Sequence, residues 1–253
     1  MKTVFMRDLE IGLGRPKVIV PIVAATADEI VKKAKSFADI PLDVVEWRVD
    51  FYQDVFDIEK VLQTLTKLRE ALGNTPLLFT FRTKKEGGEK SIDPETYTVL
   101  NKAVAESGNV DAVDVEIFFG DDIVKKNIQN IHAAGKMVVG SNHDFDKTPT
   151  YDDLMYRLRK MQDMQADLPK IAVMPQCRAD VLTLLAATQT MSEKYADRPI
   201  ITMSMAADGV ISRLCGEVFG SAMTFGAVGQ VSAPGQIPIE KLNTALQILH
   251  DAL

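Results

Sequence analysis

Eight short runs rich in β-branched residues recur along the chain. They are KVIVPIV from Lys17, DVVEWRV from Asp43, PLLFTFR from Pro76, DAVDVEI from Asp111, KMVVGSN from Lys136, PKIAVMP from Pro169, PIITMSM from Pro199 and AMTFGAV from Ala222. Their starts lie 23 to 35 residues apart, and the stretches between them carry helical periodicity. Ile58, Val61, Leu62, Leu65, Leu68 and Leu72 form one apolar stripe at spacings of three and four. Helix starts are marked as well: Thr26 with Glu29 predicts a capping box, and Asp93 before Pro94 predicts an N-cap followed by a first-turn proline. Strand-length runs alternating with amphipathic helices imply βαβ units and a parallel sheet. Eight such units in 253 residues are the arithmetic of a (β/α)8 TIM barrel, an α/β fold. The runner-up, a doubly wound open sheet, would carry a glycine-rich phosphate loop after its first strand, and PIVAATADE has none. No linker or shift in composition divides the chain, so residues 1–253 are expected to form one domain. Ahead of the first run, TVFMRDLEIGLG alternates weakly and predicts a short N-terminal hairpin plugging one barrel end.

The net charge of −6 argues against nucleic acid as a partner, because a phosphate-backbone binder needs a basic footprint. An anionic ligand must then be gripped by a local cluster of cations. Lys2, Arg7, Asp8 and Glu10 interrupt any apolar signal segment in MKTVFMRDLE, and the longest uncharged run, between Glu217 and Glu240, is broken by glycine and proline. Neither export nor membrane insertion is expected. Two cysteines, Cys177 and Cys215, cannot build a disulfide framework, which fits a reducing, cytoplasmic setting.

Chemistry in a barrel sits at the C-terminal ends of the strands, so polar residues there are informative. The second run places Glu46, Arg48 and Asp50 at period two. The third ends in Arg82, with Glu86 in the glycine-bearing KKEGGE loop; the fourth holds Asp114 and Glu116; the fifth leads into His143 and Asp144. The sixth holds Lys170, the seventh Thr202 and Ser204, and beyond lie Arg213, Ser232 and Gln236. Any one charged residue on a strand is as readily a solvated side chain as a functional one. Barrel strands are covered on both faces, so convergent charge is costly unless paired or used. Asp114 and Glu116 read best as neutralising the cations; Asp50 and Asp144 are as well explained by capping or salt bridging as by catalysis. Lys170 could be a solvated lysine at a strand start. Pointing inward, it would lose its proton more readily through burial and neighbouring arginines, and a neutral amine can condense with a ketone or aldehyde. Of the three histidines only His143 sits at a strand end, which makes it the one imidazole placed for acid–base work. No H-x-H or H-x-x-x-H spacing points to zinc, and no G-x-S-x-G elbow to a serine hydrolase.

Taken together the motifs EWRVD (46–50), FTFRTKKEGGE (79–89), SNHDF (141–145), PKIAVMPQ (169–176), ITMSM (201–205), GVISRLCGEVFGSA (209–222) and SAPGQI (232–237) resemble the type I 3-dehydroquinate dehydratases of the shikimate pathway. The resemblance runs through most of the chain. It implies a (β/α)8 barrel, a homodimer, a small carboxylate substrate, and no metal or other cofactor. It also implies roles: Lys170 as the Schiff-base amine, His143 as general base and then acid in a syn elimination, and Glu86 as the group orienting His143. Arg213 would pair with the substrate carboxylate, and Glu46, Arg48 and Arg82 would bind hydroxyls and order the pocket. Ser232 and Gln236 would belong to a closing loop. Met203, Met205 and Phe225 are expected to line the pocket. Some members have a pocket serine where this chain has Pro21, which can offer only a shape contact. Two other readings stay open at the level of sequence. A class I aldolase shares the barrel and the lysine imine, and a non-catalytic ligand sensor could keep the pocket without turnover.

Overall fold

The computed structural model describes residues 3–229 and 233–253. Each of the eight runs is a strand: β3 (Lys17–Ile22), β4 (Val44–Arg48), β5 (Leu77–Thr80), β6 (Ala112–Glu116), β7 (Met137–Asp144), β8 (Leu168–Val173), β9 (Ile201–Ser204) and β10 (Met223–Ala227). They pair in parallel in the order β10-β3-β4-β5-β6-β7-β8-β9, with the two-residue β11 (Ile237–Pro238) beside β10. The cylinder closes between β9 and β10 by other means. Ile200 and Ser221 form an isolated parallel bridge, and Ala222 N–H donates to Ile200 O at 2.8 Å. The Ser221 hydroxyl then takes the place of a ladder partner, accepting from Thr202 N–H at 3.0 Å and lying 3.2 Å from Thr202 O.

The helices α1 (Ala27–Lys35), α2 (Ile58–Leu72), α3 (Pro94–Glu106), α4 (Asp121–Ala133), α5 (Tyr151–Asp163), α6 (Arg178–Thr190), the short α7 (Gly216–Phe219) and α8 (Ile239–Asp251) follow the strands. The signals expected at their starts are in place: Thr26 and Glu29 cap α1 reciprocally, and Asp93 caps α3 with Pro94 in its first turn. The stripe on α2 is the face it buries, through Val61, Leu65, Leu68 and Leu72. Outward-facing strand residues such as Val20, Val45, Trp47 and Phe79 meet these helix faces in one apolar layer. Trp47 and Phe79 stand edge to face with ring centroids 5.6 Å apart. A Leu65→Ala change in this layer should cost ~2–5 kcal/mol.

Strand alternation sends the other set of side chains into the cylinder. At the N-terminal end these are Ile19, Val44, Leu78, Ala112, Val139, Leu168, Ile201 and Met223, one from each strand and all buried. The predicted hairpin, β1 (Val4–Met6) paired antiparallel with β2 (Leu9–Ile11), seals this end by packing Met6 and Ile11 into the same cluster. The floor is therefore dry. Two residues further along, five of the strands change chemistry, and buried Glu46, Thr80, Asp114, Ser141 and Lys170 occupy the interior.

Candidate active site

Above that floor lies one cavity walled by Glu46, Arg48, Arg82, Glu86, His143, Lys170, Met203, Met205, Arg213, Phe225 and Gln236, together with Gly87, Phe145, Ala172 and Ala233. Residues from six strands or the loops just beyond them thus converge on one space. Pro21 is buried at the register of Glu46 but is not part of the cavity wall. Ser232 lies outside the described residues. Two sequence expectations need adjustment. Asp50 is not on the strand face with Glu46 and Arg48 but in the 3-10 turn Val49–Phe51. Thr202 faces the helix layer, its hydroxyl 2.8 Å from that of Thr188 on α6, because the inward positions of this strand belong to Ile201 and Met203.

Buried charges at this depth must be paired. Arg48 makes a two-pronged pair with Asp50, both contacts at 2.9 Å. Arg82 donates to Asp114 at 2.8 Å and to Glu116 and the Ser141 hydroxyl at 2.9 Å. Burial opposes the Arg82 charge, yet Asp114, Glu116 and Glu86 more than offset it, so the guanidinium is held charged. Glu46 accepts from the Thr80 hydroxyl at 2.9 Å. Asp50 does a second job: it accepts from Arg82 N–H and Glu89 N–H, anchoring both ends of the loop that carries Glu86. Within that loop Gly87 has a left-handed φ of +84°, and a methyl there would overlap the Phe145 ring. A methyl on Gly88 would strike the Arg82 carbonyl.

Lys170 is 4% exposed, with Nζ 3.8 Å from Asp114 and 4.7 Å from the centre of the Phe225 ring. Its pKa is lowered, by burial first; Asp114 and Glu46 work against the shift, and Arg82 and Arg48 add to it. On the neighbouring strand His143 Nδ1 lies 3.0 Å from Glu86 Oε2, which also accepts the His143 backbone N–H at 2.9 Å. That contact leaves Nε2 as the nitrogen available for proton transfer. Burial, then Arg82, Lys170 and Arg48, push the imidazole well below its usual range, so cationic histidine is disfavoured. Burial and Glu116 push the Glu86 carboxyl up to about 8. The two groups share one hydrogen bond and titrate as a unit: the pair keeps one proton up to about 8, and its loss leaves a carboxylate facing Nδ1–H and a bare Nε2.

Arg213 is the exception among the cations. It closes the 3-10 segment Asp208–Arg213, is 1% exposed, and donates to the Pro234 carbonyl at 2.9 Å, with Met203 Sδ at 3.7 Å. Among the described residues no carboxylate pairs with it, and its buried Nε has no acceptor. Burial alone pulls it down to about 10. A desolvated guanidinium with unused donors, on the wall of a polar cavity, is a receptor for an anion. Among the described residues no three His, Cys, Asp or Glu side chains are grouped to hold a metal ion. Sequence reasoning did not single out Asn142, which donates to Glu86 Oε1 at 3.0 Å, or Arg157 on α5, which donates to Asn142 Oδ1 at 2.8 Å. Asn142 lies inside the SNHDF motif, but no sequence signal ties Arg157 to it.

Comparison with known proteins agrees over the whole chain. The family described as type I 3-dehydroquinase matches residues 18–252. A 3-dehydroquinate dehydratase of Escherichia coli O7:K1 (strain IAI39 / ExPEC) is 56% identical over 252 residues, covering 100% of both chains. The solved type I 3-dehydroquinate dehydratase of Clostridium difficile, carrying a covalently modified comenic acid, is 51% identical with a TM-score of 0.97, covering 100% of this chain and 99% of that one. The 3-dehydroquinate dehydratase of Geobacillus kaustophilus HTA426 is 36% identical with a TM-score of 0.96, covering 99% and 97%.

Proposed function

The chain belongs to the type I 3-dehydroquinase family, a hydro-lyase family that converts 3-dehydroquinate to 3-dehydroshikimate, and on that premise we propose how its own residues carry the reaction. Family membership sets aside the aldolase and sensor readings. Arg213 receives the substrate carboxylate, and Glu46, Arg48 and Arg82 order the hydroxyl-bearing ring. The neutral Lys170 amine adds to the C3 ketone. The adduct then loses water, its oxygen taking one proton from the amine and one from solvent relayed through His143 Nε2, to give an iminium. That cation acidifies C2, and His143 Nε2 removes the C2 proton to give an enamine. The enamine expels the C1 hydroxyl, which takes the same proton from His143 and leaves as water. Hydrolysis of the conjugated iminium then frees the product and the amine. One imidazole suffices because proton and hydroxyl leave from one face. Glu86 holds the ring and offsets its charge while Nε2 carries the proton. Gln236, on the cavity wall after β10, belongs to the segment that closes over the substrate. The enzyme works as a single-domain homodimer in the cytosol without metal or other cofactor. Its two free cysteines suit that compartment, and among the described residues no helix is long and apolar enough to cross a membrane.

The observation that carries this reading is a buried amine of lowered pKa and a neutral imidazole on adjacent strands, in one cavity with a guanidinium that no carboxylate among the described residues neutralises. The covalent comenic acid on the Clostridium difficile relative is in keeping with it. The test is borohydride reduction in the presence of 3-dehydroquinate. Peptide mapping should find the reduced adduct on Lys170, and Lys170→Ala should lose both adduct and turnover. An adduct elsewhere, or an active Lys170→Ala enzyme, refutes the mechanism.

A further inference from the structure

The hydrogen bonds of Glu86 do not end inside the barrel. One carboxylate oxygen, Oε2, serves His143; the other, Oε1, accepts from the Asn142 side chain at 3.0 Å. On the far side of that amide, Arg157 NH1 donates to Asn142 Oδ1 at 2.8 Å. Arg157 is itself fixed from three directions. Its NH2 donates to Asp153 one turn earlier on α5 at 2.7 Å, NH1 lies 3.6 Å from Asp144, and the guanidinium stands 5.8 Å from the Phe118 ring centre. A continuous line of donors and acceptors therefore runs from the helix layer, through the wall at β7, to the imidazole.

An amide side chain has two ends, and only one arrangement suits this position. With a guanidinium donating to its oxygen, its NH2 must face Glu86. Turned over, it would point NH2 at a cation and oxygen at a carboxylate. We propose that Arg157 is a positioning residue for the elimination: by holding the Asn142 amide in one orientation it fixes the Glu86 carboxylate, and through it the tilt and protonation of His143. Arg157 lies on the outer side of the wall and touches neither substrate nor reacting atoms, so it acts through Asn142. This inference rests on the reading of Glu86 and His143 as the acid–base pair.

The direction of the effect follows from the charges that face Glu86. From β6, Glu116 and Asp114 favour its protonated form; Arg82, beyond β5, and the Asn142 amide favour its ionised form. Freeing the amide removes one of the influences that release the proton and leaves Arg82 and the His143 backbone N–H. In Arg157→Met the acid–base pair should therefore keep its proton to higher pH, moving the rising limb of kcat to the alkaline side. At the optimum, kcat should fall roughly tenfold or more, the cost of one misplaced charge-assisted hydrogen bond. KM should stay within about twofold, since Arg213 is untouched, and borohydride trapping at Lys170 should persist, since the amine is untouched. Arg157→Lys, which keeps a donor and a charge, should recover part of the rate and return the limb toward its original position. A merely structural role would lower thermal stability without moving the pH limb, and an Arg157→Met enzyme with an unchanged limb and kcat overturns the inference. His143→Ala is the control. If it turns over normally, the acid–base reading has failed; if it is inactive while Arg157→Met is unaffected, only the present inference has. Should Arg157→Met not fold, Asn142→Ala is read in the same way, with the same limb shift expected and an unmoved limb counting against the proposal.

Discussion

Replacing Arg213 by methionine should make the empty enzyme sturdier and a poorer catalyst. Burial pulls this guanidinium down to about 10, so holding it charged at neutral pH costs roughly 3 kcal/mol of folding stability. The sign is that of a base whose folded pKa is depressed: the penalty is fully present below about 10 and is relieved as pH rises past that value toward the unfolded value. Its one backbone hydrogen bond, to Pro234 O, returns only ~1 kcal/mol. Methionine fills much of the same space beside Met203 with no charge to desolvate, leaving a net gain of ~1–2 kcal/mol, or roughly 2–8 °C in Tm for a chain of this size. Binding moves the other way. A desolvated guanidinium–carboxylate pair is worth ~3–4 kcal/mol, so kcat/KM should fall about 100- to 1,000-fold, chiefly through KM. Differential scanning calorimetry of the ligand-free proteins and steady-state assay of the conjugated enone product measure the two halves. A variant that melts several degrees lower, or that keeps its KM, would show that Arg213 is satisfied by the protein itself and is not the carboxylate receptor.

The acid–base pair gives a second expectation. The rising limb of kcat/KM should lie near pH 8 in the native enzyme, and Glu86→Gln, which leaves His143 without a partner to share its proton, should move the limb below about 6.5 while lowering kcat. A limb that stays near 8 would assign it to another group. The same substitution tests stability: a carboxyl raised from its ordinary range to about 8 contributes stability at low pH that is lost as pH climbs to about 8, so the Tm advantage of Glu86→Gln should grow between about pH 4.5 and 8 and then level off. An advantage independent of pH contradicts the assignment. In the loop carrying Glu86, Gly88→Ala should cost ~2–3 kcal/mol and most of the activity, because the Arg82 carbonyl cannot retreat without releasing Asp50; urea unfolding together with kcat reports both, and a wild-type midpoint would mean the loop adapts freely.

The architecture was legible because period is a local property. Eight β-branched runs with amphipathic stretches between them admit few closed arrangements, and even the hairpin at the floor could be anticipated from the weak alternation before Lys17. The site was legible where a side chain's register on its strand decides its direction, as for Lys170, His143 and Glu46. It was less so where chain direction changes. Asp50 leaves its strand face because a 3-10 turn begins one residue earlier, and Thr202 turns outward because Met203 faces the cavity. Arg157 was invisible for a different reason: at i+4 from Asp153 it looks like an ordinary helical ion pair, and its second partner is on a strand 15 residues away. Partnerships set by packing between layers leave no periodic trace.

Seven of the eight joins around the cylinder are zipped by main-chain ladders, whereas β9 and β10 meet through one bridge, one amide donor and the alcohol of Ser221. The chain linking those two strands carries Arg213, and the segment after β10 is tied to it at Pro234. Mechanical strain on the hoop therefore concentrates at its least stitched point, beside the anion receptor. A ligand held by Lys170 and Arg213 would brace the chain beside that join, so that filling the pocket should raise the stability of the hoop.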